Sequence, residues 1–232
     1  MEYISSGDLL TNMQADPEPI PRKAVTFICA EVLLGLNFLH KQRIIYRDLK
    51  QENILVLPGL VKHRNNKKRN ILDGHIKVSD FGLSKELSKE MVALSFCGTP
   101  GYIAPEMYRG EPYDYTVDWW PFGVLIYELL TNKSLWYLCE ENEDGTWDED
   151  SLRDETLAFN IDFLGCKVSD TSKSILEGLL TQDPADRLGQ TVSGRSTSRA
   201  VRDIMKHKFF SDIRFSKLEA GKLESPFEPR VS

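Results

Sequence analysis

The sequence has no excess of positive charge. Its 29 Lys and Arg are outnumbered by 35 Asp and Glu, for a net charge of -6. A general nucleic-acid binder needs a basic face that displaces phosphate counterions, so the balance argues against that class. Cysteine is scarce. Cys29, Cys97, Cys139 and Cys166 are widely spaced and form no Cys-x-x-Cys pair. Neither a zinc site nor a disulfide framework is expected, and a reducing compartment is the natural setting. No stretch approaches the ~18 apolar residues of a membrane span. The opening MEYISSGDLL has no charged leader and no apolar run of signal-peptide length. The absence of a targeting signal points to the cytoplasm, with the nucleus as the other option. No internal repeat is found.

What is present suits a packed domain. The 232 residues are 41% hydrophobic and 28% charged, enough for a real core in one domain or two. From Arg22 to Gln42, Val25, Ile28, Cys29, Val32, Leu33, Leu36 and Leu39 fall at helical spacing, with Pro21 suited to the first helical position. Ile54–Leu57 and His75–Val78 are β-favouring and could pair. Between them KHRNNKKR holds five Lys/Arg in eight residues. It reads as a solvated loop, with a nuclear-localisation or acidic-partner patch as the other reading. Val117–Leu130, VDWWPFGVLIYELL, is too short for a bilayer and reads as a buried helix, with Pro121 tolerable in its first turn. The stretch 140–155 carries nine acids and one Arg and reads as a surface loop between helices. Ser174–Leu180 and Ser198–His207 are further helix candidates, and the tail ESPFEPRVS is expected to be extended.

The chemistry sits in IIYRDLKQENILV, where strand-like ends flank a polar loop holding Asp48, Lys50 and Asn53. Asp can accept a proton, Lys can neutralise phosphate, and Asn can hold a metal. Asp80-Phe81-Gly82 follows the strand HIKVS, and a carboxylate at a strand end before Gly is well placed for Mg²⁺. Then comes FCGTPGYIAPE, ending in Ala104-Pro105-Glu106.

These three motifs, in this order, resemble the signature set of eukaryotic protein kinases. The likeness runs from residue 1 to about residue 230. YRDLK, SFCGTPGYIAPE, VDWW, DPADRLG and SPFEP are similar to the AGC group, the relatives of protein kinases A and C. DLKxxN points to Ser or Thr as the phosphate acceptor. The implied fold is protein-kinase-like: a mainly α-helical C-lobe with short β-hairpins and without the N-lobe β-sheet. Residues 1–210 would be the catalytic domain, with hinge 1–8, catalytic loop 46–53 and activation segment 80–106. Residues 211–232 would begin the group's C-terminal tail.

The resemblance implies roles. Asp48 accepts or orients the acceptor's hydroxyl proton, and Lys50 neutralises the transferring phosphoryl. Asn53 and Asp80 hold Mg²⁺ on ATP. Met1, Glu2, Ile4, Asp8, Leu55 and Ser79 line the adenine and ribose site, with Gly7 permitting the turn into the next helix. Tyr46 and Phe81 pack beneath the site. Ser95 is the activation-loop phosphosite, opposite Arg47 and Lys85, and supplied by an upstream kinase. Its replacement by Ala is expected to lower activity sharply. Thr99 bonds toward Asp48 and Lys50. Phe96, Pro100 and Ile103 shape the pocket for the residue after the acceptor. Asp8, Glu52 and Glu128 favour protein substrates with basic residues near the acceptor. Asp118 anchors the catalytic-loop backbone, and Glu106 pairs with Arg187. Three departures stand out: Gly101 replaces the group's usual Glu, Pro121 its Ala or Ser, and residues 58–74 insert into a normally tight hairpin.

Neither a G-x-G-x-x-G loop nor a V-A-I-K lysine occurs in these 232 residues. Two expectations follow. One is a piece of an AGC-type Ser/Thr kinase with negligible activity by itself. The other is a truncated lobe that serves as a binding or decoy module. The intact Asp48, Asn53 and Asp80 favour the first. A lobe alone would also expose apolar surface.

Overall fold

A computed structural model describes residues 4–15, 19–57, 74–88, 92–136, 148–159, 161, 163, 168–191 and 196–227. Gly7, at φ +70°, turns the chain into helix α1, Leu9–Ala15. Asp8 caps it, taking the Thr11 amide at 2.7 Å and the Thr11 hydroxyl at 3.0 Å. Leu9 is fully buried.

Helix α2 runs Arg22–Lys41, with Pro21 just before it; the Pro21 carbonyl accepts from Ala24 N and Val25 N. Its apolar positions recur on more than one face, so it packs on several sides at once. By length and composition α2 could cross a membrane, which the sequence reading did not anticipate. It is instead a core helix, with 72% of its most apolar window inside the protein.

Four short strands follow: β1 (Ile44–Ile45), β2 (Ile54–Val56), β3 (Ile76–Val78) and β4 (Lys85–Glu86). They form two antiparallel pairs. β2 meets β3 with Ile54 opposite Val78 and Val56 opposite Ile76, while β1 meets β4 with Ile45 opposite Lys85. The pairs hold the loop 46–53 beside the loop 79–84. The expected hairpin is thus present, although residues 58–73 of the basic insertion lie outside the described residues.

Helix α3 (Pro105–Tyr108) precedes a 3-10 turn at Tyr115–Asp118 and then α4, Trp119–Thr131. Pro121 is the third residue of α4, where a missing N–H costs nothing. Helix α5, Glu149–Ala158, corrects the sequence reading, which placed a surface loop there. Asp148 caps it by accepting from Ser151 N at 2.7 Å, and Leu152 and Thr156 are its buried residues. Acids in the first turn also suit the positive end of the helix dipole.

Helix α6, Asp170–Leu179, starts four residues earlier than its apolar spacing indicated, because Ser169 caps it. Helices α7 (Thr197–Met205) and α8 (Phe215–Glu219) complete the described elements. A Cβ at Gly123 of α4 would stand 2.8 Å from Leu180 Cδ2, so glycine is what lets α4 lie against the end of α6. The tail returns across the molecule: buried Ser225 donates to Gly74 O at 2.8 Å. The molecule is therefore mainly helical, and its described sheets are only two strands wide.

Candidate active site

The loop 46–53 is built around Asp118, which is fully buried at the foot of α4. Its Oδ2 accepts from Tyr46 N at 2.9 Å and from His40 Nε2 at 2.7 Å, and its Oδ1 accepts from Arg47 N at 2.8 Å. These bonds hold Arg47 at φ +68°, a left-handed conformation that costs a non-glycine residue of order 1 kcal/mol. The bend presents Asp48 to the front of the loop.

The Asp48 carboxylate has assigned partners. Oδ1 accepts from Thr99 Oγ1 at 2.7 Å, and Oδ2 accepts from Asn53 Nδ2 at 2.8 Å. Asn53 Nδ2 also donates to Asp48 O, which fixes its amide, so Asn53 Oδ1 remains an acceptor. Lys50 Nζ donates to Thr99 Oγ1 at 2.8 Å and lies 3.6 Å from Asp48 Oδ2. The structure thus brings Asp48, Lys50, Asn53 and Thr99 into one constellation.

Asp80 is exposed, has φ +50°, and accepts from Gly82 N at 3.0 Å. Ser79 carries it beside the loop: Ser79 N and Oγ both donate to Asn53 O, at 2.9 and 3.1 Å. Tyr46, fully buried, donates its hydroxyl to Ser79 O at 2.5 Å and meets the Phe81 ring edge-on at 5.7 Å. Burial, and then the nearby carboxylates of Asp48, Asp80 and Asp118, raise the Tyr46 phenol. It stays protonated and works as a tie. Phe81 is 51% exposed.

Among the described residues no group of three His, Cys, Asp or Glu could hold a metal unaided. Mg²⁺ asks for less, since one or two protein oxygens with substrate phosphates and water suffice. Asn53 Oδ1 and the Asp80 carboxylate are hard oxygen donors of that kind.

Below the constellation lies a cavity of about 480 Å³. Glu52, Glu128, Gln51, Tyr102, Pro100 and Thr99 line it, along with Lys133 and Trp136. Glu128 accepts from Gln51 Nε2 at 2.7 Å and from Tyr102 OH at 2.5 Å. Burial outweighs those bonds and pushes its carboxyl up to about 7. Asp8 does not line the cavity. Its two oxygens cap α1, and it bridges Leu55 instead. Of the three acids, Glu52 and Glu128 line this cavity.

Phe96, 61% exposed, stacks on Tyr108 at 5.5 Å, and Ile103 is buried against Gly98. Neither lines the cavity that Pro100 borders. Ile4 is half-buried at the start of the described residues, while Met1 and Glu2 lie outside them.

The departure at Gly101 has a local cause. Gly101 sits at φ +84°, and a Cβ there would meet the Trp136 indole at 3.0 Å. Trp136 Nε1 donates to Gly101 O at 2.6 Å. The indole fills the space a side chain at 101 would need.

Arg47 faces the stretch 92–97, with Nη1 donating to Ser95 Oγ at 2.7 Å. Lys85 stands exposed on β4. Glu106 and Arg187 form a two-pronged pair at 2.7 and 2.8 Å, both wholly buried. Arg187 also donates to Thr116 O and Thr181 O and lies over Trp120. Sequence reasoning missed His40, Gln51, Tyr102, Tyr113 and Trp136. No local signal marks them, because each meets its site partner across a long span of chain.

A buried carboxylate, a lysine sharing its threonine, an amide and a nearby second carboxylate meet at one place in a mainly helical chain. The chain belongs to the protein kinase domain family, which it matches over residues 1–210. Among similar curated proteins are atypical protein kinase C of Drosophila melanogaster, 36% identical over 232 residues, and protein kinase C zeta type of Oryctolagus cuniculus, 38% over 237. Protein kinase C delta type of Rattus norvegicus is 40% identical over 232 residues. Each alignment covers 100% of this chain but only 35%, 36% and 29% of those relatives, so the chain spans about a third of their length.

Proposed function

We propose that this chain is the large-lobe part of a Ser/Thr protein kinase, acting on protein substrates with a basic residue near the acceptor. Residues 1–210 would belong to the catalytic domain and 211–232 to the start of the tail. The observation that carries the reading is the geometry around Asp48, with Thr99 on one carboxylate oxygen, Asn53 on the other, and Lys50 alongside.

Asp48 takes the proton of the substrate hydroxyl as its oxygen bonds the γ-phosphorus and ADP departs. Lys50 offsets negative charge on the group in flight. The fixed Asn53 amide and Asp80 would hold Mg²⁺. Bound there, Mg²⁺ would supply positive charge against the ATP phosphates. The site's contribution is positioning and charge, with no covalent intermediate on the protein. Thr99 bonds both Asp48 and Lys50, so the substrate-binding segment and the proton acceptor are set together. Glu52 and Glu128 supply the negative side of the cavity for a guanidinium or ammonium. A reducing, cytoplasmic setting agrees with Cys29 and Cys97, which are free thiols.

The test uses the protein at its natural full length. Asp48→Asn is expected to lower kcat on an Arg-containing peptide by about 10²–10⁴-fold, with ATP affinity and melting temperature unchanged. An undiminished rate would refute the reading. The 232-residue chain by itself is expected to show negligible turnover with Mg²⁺-ATP.

A further inference from the structure

The segment carrying Ser95 is held at two levels. Its backbone forms a bridge in which Ala93 N donates to Tyr113 O at 2.8 Å and Tyr113 N to Ala93 O at 3.0 Å. Its side-chain contacts centre on the Tyr113 phenol, which stands a long 3.4 Å from Ser95 Oγ. The phenol donates to the main-chain carbonyl of Ser95 at 2.5 Å and accepts from Arg47 Nη1 at 3.0 Å. Arg47 in turn donates through Nε to Leu83 O at 2.7 Å and through Nη1 to Ser95 Oγ. One phenol thus ties together the catalytic loop, through Arg47, and the activation segment, through Ser95. Tyr113 is 4% exposed, whereas Ser95 is exposed.

The chemistry at the two partners differs. The bond to Ser95 Oγ is between side chains and is lost when that hydroxyl is removed or modified. The bond to Ser95 O is to the main chain and survives any change at the side chain. A phenol has one proton to give and lone pairs to receive, so it can serve both partners at once.

We propose that Tyr113 is a positioning residue that clasps segment 93–97 through the Ser95 carbonyl, so that the segment is seated independently of the Ser95 side chain. For regulation this deepens the reading of Ser95 as a phosphosite and rests on it: a phosphate there adds charge opposite Arg47 on a segment already in place. The clasp itself rests only on the geometry above.

The experiment compares Tyr113→Phe and Ser95→Ala in the 232-residue chain by amide hydrogen exchange, with chymotrypsin cleavage after Phe96 as a second readout. Loss of the phenol removes one hydrogen bond on Ser95 O. Tyr113→Phe is expected to speed exchange at 94–97 and cleavage after Phe96 about tenfold. Ser95→Ala is expected to stay within about twofold of wild type. Exchange in α2 and α4 stays at the wild-type rate in both. The Arg47 Nε–H resonance shifts in Tyr113→Phe, which a tyrosine serving only as packing would not cause. Unchanged exchange at 94–97 in Tyr113→Phe overturns the clasp. So does equal loosening in Ser95→Ala, or faster exchange throughout the core. If Ser95 proves never to be phosphorylated, the phosphosite reading falls, while the exchange data still decide the clasp.

Discussion

Glu128 shows how a single buried side chain can make stability depend on pH. It is a carboxyl among apolar neighbours, and burial raises it from 4.5 to about 7 despite the bonds from Tyr102 and Gln51. The folded protein therefore holds a proton there that the unfolded chain has released above about pH 4.5. This contribution to stability is full below that pH and fades as pH rises through about 7. The shift corresponds to about 3 kcal/mol. Glu128→Gln keeps an acceptor for Tyr102 and removes the titration. Urea melts of wild type at pH 5 and pH 8 are expected to differ by about that amount more than melts of the variant. An equal pH response in both proteins would contradict the assignment. In an active form of the protein, the KM for an Arg-containing peptide should fall as pH rises through 7, because only the ionised carboxylate pairs with the guanidinium. The opposite trend would separate Glu128 from substrate recognition.

At the scale of elements, Gly101 and Trp136 couple the loop before α3 to the stretch after α4. Gly101→Ala forces a Cβ against the indole and into a left-handed backbone. It is expected to cost about 1–2 kcal/mol from the backbone alone, read as a lower urea midpoint. Trp136→Ala should recover the steric part in the double variant, and strict additivity would show that the two do not touch. Elements also mark how far sequence reading reaches. Helix α2 and the β2–β3 hairpin were legible because apolar spacing and β-branched runs act locally. Helix α5 was not, because nine acids between 140 and 155 read as solvated loop. Its anchors are two buried residues, Leu152 and Thr156, and a cap at Asp148. Asp8 shows a different limit: its resemblance to a substrate-facing acid says nothing of Thr11, three residues on, whose amide and hydroxyl each bond one carboxylate oxygen.

At the scale of the whole molecule, the buried pair Glu106–Arg187 joins helix α3 to the stretch after α6. Arg187→Ala leaves a carboxylate buried without its partner, a loss of about 3–5 kcal/mol. The variant is expected to lose Tm by about ten degrees or more, or to fail to fold at 37 °C. An unchanged Tm would show that the pair is dispensable. The family motifs around Asp48, Asp80 and Glu106 were readable because each is contiguous. The bonds that seat them were not: His40 and Asp118 are 78 positions apart, and Glu106 and Arg187 are 81 apart. Periodicity carries no trace of such pairings.

The same spans set an order in time. On a ribosome adding about 5–20 residues per second, Asp48 emerges well before Asp118, whose carboxylate fixes the two residues in front of it. Until that later stretch arrives, the 46–53 loop has no anchor for its bend, and until Arg187 arrives the buried Glu106 has no partner. The bond from Ser225 to Gly74 closes a span of 151 positions and forms among the last. The constellation around Asp48 is therefore expected to stay unassembled on the nascent chain until its distant partners have been made.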